Sequence, residues 1–132
     1  MRDVKEAEAW IESARALVGN DVMGEERYTV VVAQSIHSII RANDAMTLRF
    51  LGKRAIRHED SPRMFLDMVT GNKIPPQYAG LRKDILLPSV QTKSQADYKG
   101  TVFSKKEALS WIGKAEKFLK VSKECLNLSG GQ

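Results

Sequence analysis

The longest stretch of apolar residues at helical spacing lies between residues 27 and 51. At 100° per residue, its apolar side chains cover an arc of about 200°, whereas the apolar stripe of a surface helix is typically ~100° wide. A helix with so wide an apolar surface needs neighbours on at least two sides. The pattern therefore predicts a long central helix over 27–51, ended by Gly52, with further helices packed around it.

Shorter amphipathic patterns predict those further helices. Apolar residues repeat at helical spacing over about 3–18, over 62–70, over about 79–96 and from 105 to about 126. Pro88 falls inside the third of these, and because proline has no backbone N–H to donate, we expect a kink or two shorter helices there. The sequence predicts an all-α fold, a four- to five-helix up-and-down bundle in a single domain over 1–132.

Several residues are predicted to begin or end these helices. Ser61 has the residue type of an N-cap, and Pro62 would then occupy the first helical position. Ser104 and Glu107 have the spacing of a capping box at the start of the last helix. Residues 97–100 have the composition of a turn. These positions divide the chain into short connections and helices, as expected for a small bundle.

The composition is that of an ordinary globular protein, with 42% apolar and 28% charged residues in 132. A chain of this length can bury a hydrophobic core without disulfides. It has no apolar run of the ~18 residues that a transmembrane helix needs, and its first ten residues lack the apolar region of a signal peptide. The sequence therefore predicts a soluble, cytoplasmic protein with no membrane partner.

The net charge of +5 is unevenly distributed. Residues 1–26 contain seven acidic and three basic side chains, whereas the rest of the chain contains nine acidic and 18 basic ones. Five basic residues fall in residues 49–63, which we call the basic segment: Arg49, Lys53, Arg54, Arg57 and Arg63. Such a segment favours a phosphate-bearing or acidic partner. The alternative is a solvated basic face with no ligand.

Several familiar kinds of site are missing from the sequence. It has no Walker loop, no dinucleotide-binding glycine pattern, no CxxC, no HExxH and no Gly-x-Ser-x-Gly. Two histidines and one cysteine are too few for a standard structural zinc site, so neither a metal nor a cofactor is expected. Cys125 has no neighbouring histidine to activate it, and we interpret it as structural.

His58 is the main candidate for chemistry. Arg54 and Arg57 oppose its charged form, so a neutral His58 near pH 7 can accept the proton of a ribose 2′-hydroxyl. The two arginines would bind the phosphate and its developing charge, and the reaction would be metal-independent RNA cleavage to a cyclic phosphate. The alternative is structural, with Glu59 and Asp60 paired to these bases at a helix junction.

Polar residues in the middle of the central helix are the second candidate group. His37, Arg41 and Asp44 are close enough along the helix to reach one another, and they form either a structural polar cluster or a site, with His37 interpreted as structural. Asn43 lies on the apolar side, where it can bind a backbone carbonyl of a neighbouring helix, fix the register of a dimer or contact a ligand. The candidate ligand-binding residues are Arg49, Lys53, Arg63, Asn43 and Asp44.

Three blocks of the sequence together resemble a HEPN domain (higher eukaryotes and prokaryotes nucleotide-binding). They are AEAWIESARALV, YTVVVAQSIHSIIRANDAMTLRFLGKRAIRHEDSPRMF and QADYKGTVFSKKEALSWIGKAEKFL. The shared pattern is a long second helix, a glycine, a histidine, a short third helix and an Asp-Tyr turn before the last helix. The resemblance implies a helical bundle that pairs as a homodimer about its long helices. It also implies a role near nucleotides or RNA, often as half of a toxin–antitoxin pair with a minimal nucleotidyltransferase.

Ribonuclease members of that family carry an arginine and a histidine separated by four to six residues, commonly with a polar residue after the arginine. Here three residues separate Arg54 from His58, and Ala55 follows Arg54. Lys53 has the expected separation, but lysine cannot form a bidentate fork with phosphate. These differences favour a non-enzymatic or weakly enzymatic HEPN-like dimer that binds nucleotide, RNA or a nucleotidyltransferase. An endoribonuclease using His58 and a purely structural interaction bundle are the alternatives.

Overall fold

Residues 1–98 and 100–127 are described by a computed structural model, and they form five α-helices. The helices are α1 (Arg2–Val18), α2 (Glu26–Leu51), α3 (Ser61–Thr70), α4 (Leu87–Tyr98) and α5 (Lys105–Cys125). Short 3₁₀ helices, His58–Asp60 and Pro76–Tyr78, lie in the connections, and a π-helical turn, Arg82–Leu86, leads into α4. No strand occurs within these residues, and the predicted all-α bundle is confirmed. None of the helices found there is long and apolar enough to span a membrane.

The predicted central helix is confirmed as α2, which contacts α1, α3, α4 and α5. Every residue from 42 to 47 is buried, so this part of the helix is covered on all sides. Gly52 ends the helix in the left-handed conformation (φ 77°), and its amide donates to the carbonyl of Leu48. Glycine adopts this conformation without a steric penalty, which explains the glycine at this position.

One hydrophobic core joins the helices around α2. Phe65 of α3 and Phe118 of α5 are fully buried, with ring centroids 6.1 Å apart and planes tilted by 44°. Met46 of α2 and Met68 of α3 are fully buried in the same core. The apolar face of α5 is buried as its spacing predicted, and the Ser104–Glu107 capping box is present with hydrogen bonds of 3.0 and 3.1 Å.

The start of α3 differs from the prediction. Ser61 is the first helical residue (φ −59°, ψ −45°) rather than the N-cap, and Pro62 follows it inside the helix. The cause is the 3₁₀ turn His58–Asp60, which runs directly into α3 and gives Ser61 a helical backbone, so that its amide donates to the carbonyl of His58. An N-cap needs a non-helical backbone. The predicted Ser61 cap is therefore wrong.

The predicted interruption near Pro88 is present as the π-helical turn before α4. The amide of Leu87 donates to the carbonyl of Arg82, five residues back, because the hydrogen-bond ladder shifts before a proline that has no amide to donate. Helix α4 continues to Tyr98, into residues predicted as a turn, and Gly100 has a positive φ of 63°. Lys99, in the middle of the predicted turn, lies outside the described residues.

Candidate functional site

The loop between α2 and α3 is held against the N-terminus of α1 by an ion pair. Arg54 Nε donates to Asp3 Oδ2 at 2.8 Å, and Asp3 is buried at the start of α1. A buried carboxylate that loses its partner strongly destabilises a protein, so this contact fixes the loop. The sequence prediction assigned Arg54 to phosphate binding and did not find this pair, because the two residues are 51 positions apart.

A pocket of about 290 Å³ opens between this loop and α2. We call it the histidine pocket, since it contains both histidines of the chain. Its lining residues are His37, Ile40, Arg41 and Asp44 of α2, and Ala55, Ile56 and His58 of the loop. The fold therefore brings His58 to the polar cluster of the central helix. The sequence analysis treated these as two separate groups.

Asp44 is the most unusual residue of the histidine pocket. It is 5% exposed; its Oδ2 accepts a hydrogen bond from Arg41 Nη1 at 3.4 Å, and no described residue offers a hydrogen bond to its Oδ1. The pKa of the Asp44 carboxyl is raised from 3.8 to about 6, mainly by burial and also by Asp3, while Arg41, Arg54 and a backbone hydrogen bond from Ala55 act in the opposite direction. Asp44 is therefore an ionisable group that titrates close to neutral pH.

The predicted contact within the polar cluster is present between Arg41 and Asp44. The ring of His37 stacks on Trp10 of α1, with centroids 4.9 Å apart and planes 22° apart. Trp10 is partly exposed, so the stacked pair forms an aromatic surface beside the histidine pocket. This contact joins α1 to the site and was not predicted from the sequence.

Two of the pockets that adjoin the histidine pocket contain cations of the basic segment. One, of about 300 Å³, is lined by Leu51, Lys53, Arg54, Ile56, Asp60, Arg63, Met64 and Asp67; we call it the phosphate pocket because its three cations are of the kind that bind phosphate. The other, of about 320 Å³, is lined by Arg2, Asp3, Glu6, Arg41 and Arg54. Ile56, 95% exposed, lines both the histidine pocket and the phosphate pocket. The loop therefore separates two pockets that share a wall.

The cations of the basic segment fall into two groups. Arg54 pairs with Asp3, and Arg57, whose side chain is 74% exposed, pairs with Asp60 at 3.7 Å. The Arg57–Asp60 pair matches the structural alternative for this segment. By contrast, the exposed side chains of Arg49, Lys53 and Arg63 make no ion pair with any described residue. Their charge is therefore available to a ligand.

Asn43 has the first of the three roles considered for it. Its side chain is fully buried, and Nδ2 donates to the backbone carbonyl of Ser61 at 3.4 Å. This contact joins α2 to the first residue of α3, directly after the turn that carries His58. Asn43 thus helps to position the loop beside the histidine pocket.

A pocket between α1 and α5 serves as a contrast. It measures about 330 Å³, and all but one of its charged side chains form ion pairs, Arg15 with Glu12 and Glu116, and Lys123 with Glu8; Lys120 pairs with no described residue. Charges that neutralise one another in this way join two helices rather than attract a ligand.

Half-buried Cys125, at the end of α5, has a thiol whose pKa is raised by burial, so it is not activated as a nucleophile.

No protein-family model matches this chain, and no curated protein matches it. Across residues 1–98 and 100–127, no group of three or more His, Cys, Asp or Glu side chains is arranged to hold a metal ion. The charged and titratable side chains that line the histidine pocket and its neighbours are cations, imidazoles and carboxylates.

Proposed function

We propose that this protein binds RNA or a nucleotide at the loop between α2 and α3. The observation that carries the proposal is that Lys53 and Arg63 line one pocket, lack ion-pair partners among the described residues and adjoin the histidine pocket. Unpaired cations in a pocket attract phosphate, and Arg63 can bind it through two parallel hydrogen bonds. The phosphate pocket would hold the backbone, while the histidine pocket would contact an adjoining sugar or base.

Binding of single-stranded RNA should weaken steeply as salt increases, because counterions are released when phosphates are bound. Lys53→Ala and Arg63→Ala should each weaken binding several-fold and reduce the slope of log K against log salt by about 0.7. Fluorescence anisotropy over a salt series measures both quantities. Lys117→Ala removes an exposed charge from α5, which lines none of the three adjoining pockets, and should have a smaller effect.

Two results would contradict this proposal. An equal loss in the Lys117→Ala variant would mean that binding follows overall charge rather than the phosphate pocket. An absence of binding at low salt would leave the purely structural bundle as the remaining alternative.

The HEPN resemblance extends the proposal to assembly. We propose that the protein pairs as a homodimer through its long helices and that a minimal nucleotidyltransferase is its partner in a toxin–antitoxin-type module. The partly exposed apolar side chains of Trp10, Val30 and Leu48 on α1 and α2 support a contact surface there. This part of the proposal rests on the resemblance of the three sequence blocks to a HEPN domain.

Sedimentation at micromolar concentration should detect a dimer. Val30→Glu should shift the protein towards monomer, because it places a charge in the proposed contact surface of α2. Leu109→Glu is the matched control, since Leu109 lies on α5 and is 49% exposed, close to the 47% of Val30. A monomeric wild-type protein, or equal dissociation of both variants, would contradict dimerisation through α2.

A second candidate function is metal-independent RNA cleavage, favoured by the presence of His37, Arg41 and His58 around one pocket. One imidazole can remove the proton of a ribose 2′-hydroxyl, whose oxygen attacks phosphorus to form the cyclic phosphate. The other imidazole can protonate the departing 5′-oxygen, and the guanidinium can stabilise the developing charge. In this arrangement Arg41 would bind the phosphate and its developing charge, the role that the sequence analysis assigned to Arg54 and Arg57.

A further inference from the structure

The histidine pocket contains a buried hydrogen-bond acceptor with no partner among the described residues, Asp44 Oδ1. Buried polar atoms almost always have a hydrogen-bond partner, and leaving one without a partner is unfavourable, more so for a charged group. Asp44 lines an open pocket, but its Oδ1 is covered in the free protein, so ligand donors reach this atom when the side chain rotates towards the pocket. A ligand that donates hydrogen bonds to it would then remove this cost.

Arg41 determines what kind of ligand edge fits beside this acceptor. Its Nη1 lies 3.4 Å from Asp44 Oδ2, so the pocket presents guanidinium donors next to carboxylate acceptors. A complementary ligand has an acceptor next to one or more donors. The Watson–Crick edge of guanine has this order, with the O6 acceptor followed by the N1–H and N2–H₂ donors. Adenine has a donor next to an acceptor, which is the reverse arrangement, and cytosine has a single donor group there. Uracil has one donor, N3–H, between two acceptors, so only guanine offers two adjacent donors to the carboxylate.

The walls of the pocket suit a flat heterocycle. Its volume of about 290 Å³ is close to the ~300 Å³ at which small-molecule pockets begin. Ile40 and Ile56 contribute apolar surface, and the stacked rings of Trp10 and His37 lie at its edge. Aromatic side chains are the usual platforms on which bases of single-stranded nucleic acids stack.

We infer that the histidine pocket binds guanine, with Asp44 accepting from N1–H and N2–H₂ and Arg41 donating to O6. This inference rests on the proposed nucleotide or RNA binding and assigns it a base preference. The phosphate pocket beyond Ile56 would hold a phosphate of the same or the adjacent nucleotide. The protein would then select guanosine positions in single-stranded RNA, where the base edges are accessible.

Calorimetric titration of the full chain with GMP, IMP and AMP at pH 8 and low salt tests the inference. IMP differs from GMP only by the missing 2-amino group, so it loses one donor to Asp44. We expect GMP to bind ~10-fold more tightly than IMP, and AMP to bind more weakly still. The comparison of the three nucleotides on the wild-type protein needs no variant to be decisive.

Two variants identify the residue that determines the preference for GMP over IMP. Asp44→Asn should reduce the GMP preference over IMP to within about 2-fold, because the amide can present a donor where guanine needs an acceptor. Asp67→Asn makes the same change in the phosphate pocket and should leave the ratio unaltered. Lys53→Ala should weaken GMP and IMP equally, since it removes a phosphate contact.

The outcomes separate this inference from the proposed function. Equal binding of GMP, IMP and AMP, or a GMP preference that survives in Asp44→Asn, would overturn guanine recognition and leave phosphate-dependent RNA binding intact. If neither nucleotides nor RNA bind at low salt, the proposed function fails and guanine recognition fails with it.

Discussion

The Asp44→Asn variant should be more stable than the wild-type protein at pH 8, by up to about 3 kcal/mol in the free energy of unfolding. The pKa of Asp44 rises from 3.8 to about 6 on folding, mainly through burial. Between these values the folded state keeps a proton that the unfolded state has released. Wild-type stability therefore falls as the pH rises from about 4 through about 6, and the full cost is present at pH 8. Asparagine carries no charge and avoids this cost.

The advantage of the variant should become small near pH 4 and disappear only well below the unfolded-state pKa of 3.8, where the carboxyl is protonated in both states. Urea unfolding at pH 4 and pH 8 measures the difference directly. Asp60→Asn is the control, because Asp60 is partly exposed in a surface ion pair with Arg57 and should change stability by less than about 1 kcal/mol at either pH. If Asp44→Asn is less stable than wild type at pH 8, the stabilisation from the Arg41–Asp44 contact exceeds the cost of burying the Asp44 charge.

A residue that is expected to destabilise the fold at pH 8 needs a reason for its presence. Functional sites are the common place where proteins keep such residues, because the geometry required for binding or catalysis conflicts with the geometry that is most stable. Asp44 satisfies this description, since it is buried, has an oxygen with no described partner and lines a pocket with both histidines. The stability measurement and the nucleotide titrations therefore test the same carboxylate through two independent properties, the free energy of unfolding and nucleotide binding.

The sequence predicted the helices well because the relevant signals are local. The wide apolar arc of residues 27–51, the glycine after it and the Ser104–Glu107 capping box each depend on residues within a few turns of one another. The Ser61 cap was predicted wrongly because it depends on the backbone of the preceding turn, His58–Asp60, which is helical and runs directly into α3.

The site was less predictable, since its contacts join distant parts of the chain. The Arg41–Asp44 contact lies within one helix and could be predicted from its spacing. The Arg54–Asp3 pair and the shared pocket of His37 and His58 depend on how the loop folds back on α1 and α2. Helical periodicity contains no information about such contacts. Proximity in sequence grouped His58 with Arg54 and Arg57, whereas in the folded chain His58 lines one pocket with residues of α2 and another with residues of α4.

The ribonuclease alternative predicts the largest effect of a single substitution. If the protein cleaves RNA in EDTA, His58→Ala should reduce the cleavage rate ~10²–10⁴-fold, because a proton-transfer group contributes about that factor. Gel analysis of a labelled oligonucleotide gives the rate, and the product should end in a cyclic phosphate. The same oligonucleotide with deoxyribose at the cleaved position should bind but not be cut, since it lacks the attacking hydroxyl.

Two further substitutions decide between the residue set predicted from sequence and the set that lines the pocket. His37→Ala should impair cleavage about as strongly as His58→Ala if the two imidazoles act as base and acid, and the rate should then be bell-shaped in pH. Arg57→Ala should have little effect, because Arg57 is largely exposed and pairs with Asp60.

A severe loss in Arg57→Ala with normal cleavage in His37→Ala would favour the sequence-based set instead. Cleavage that persists in His58→Ala would remove His58 from the mechanism, and wild-type protein that binds RNA without cutting it would leave binding as the function of this site.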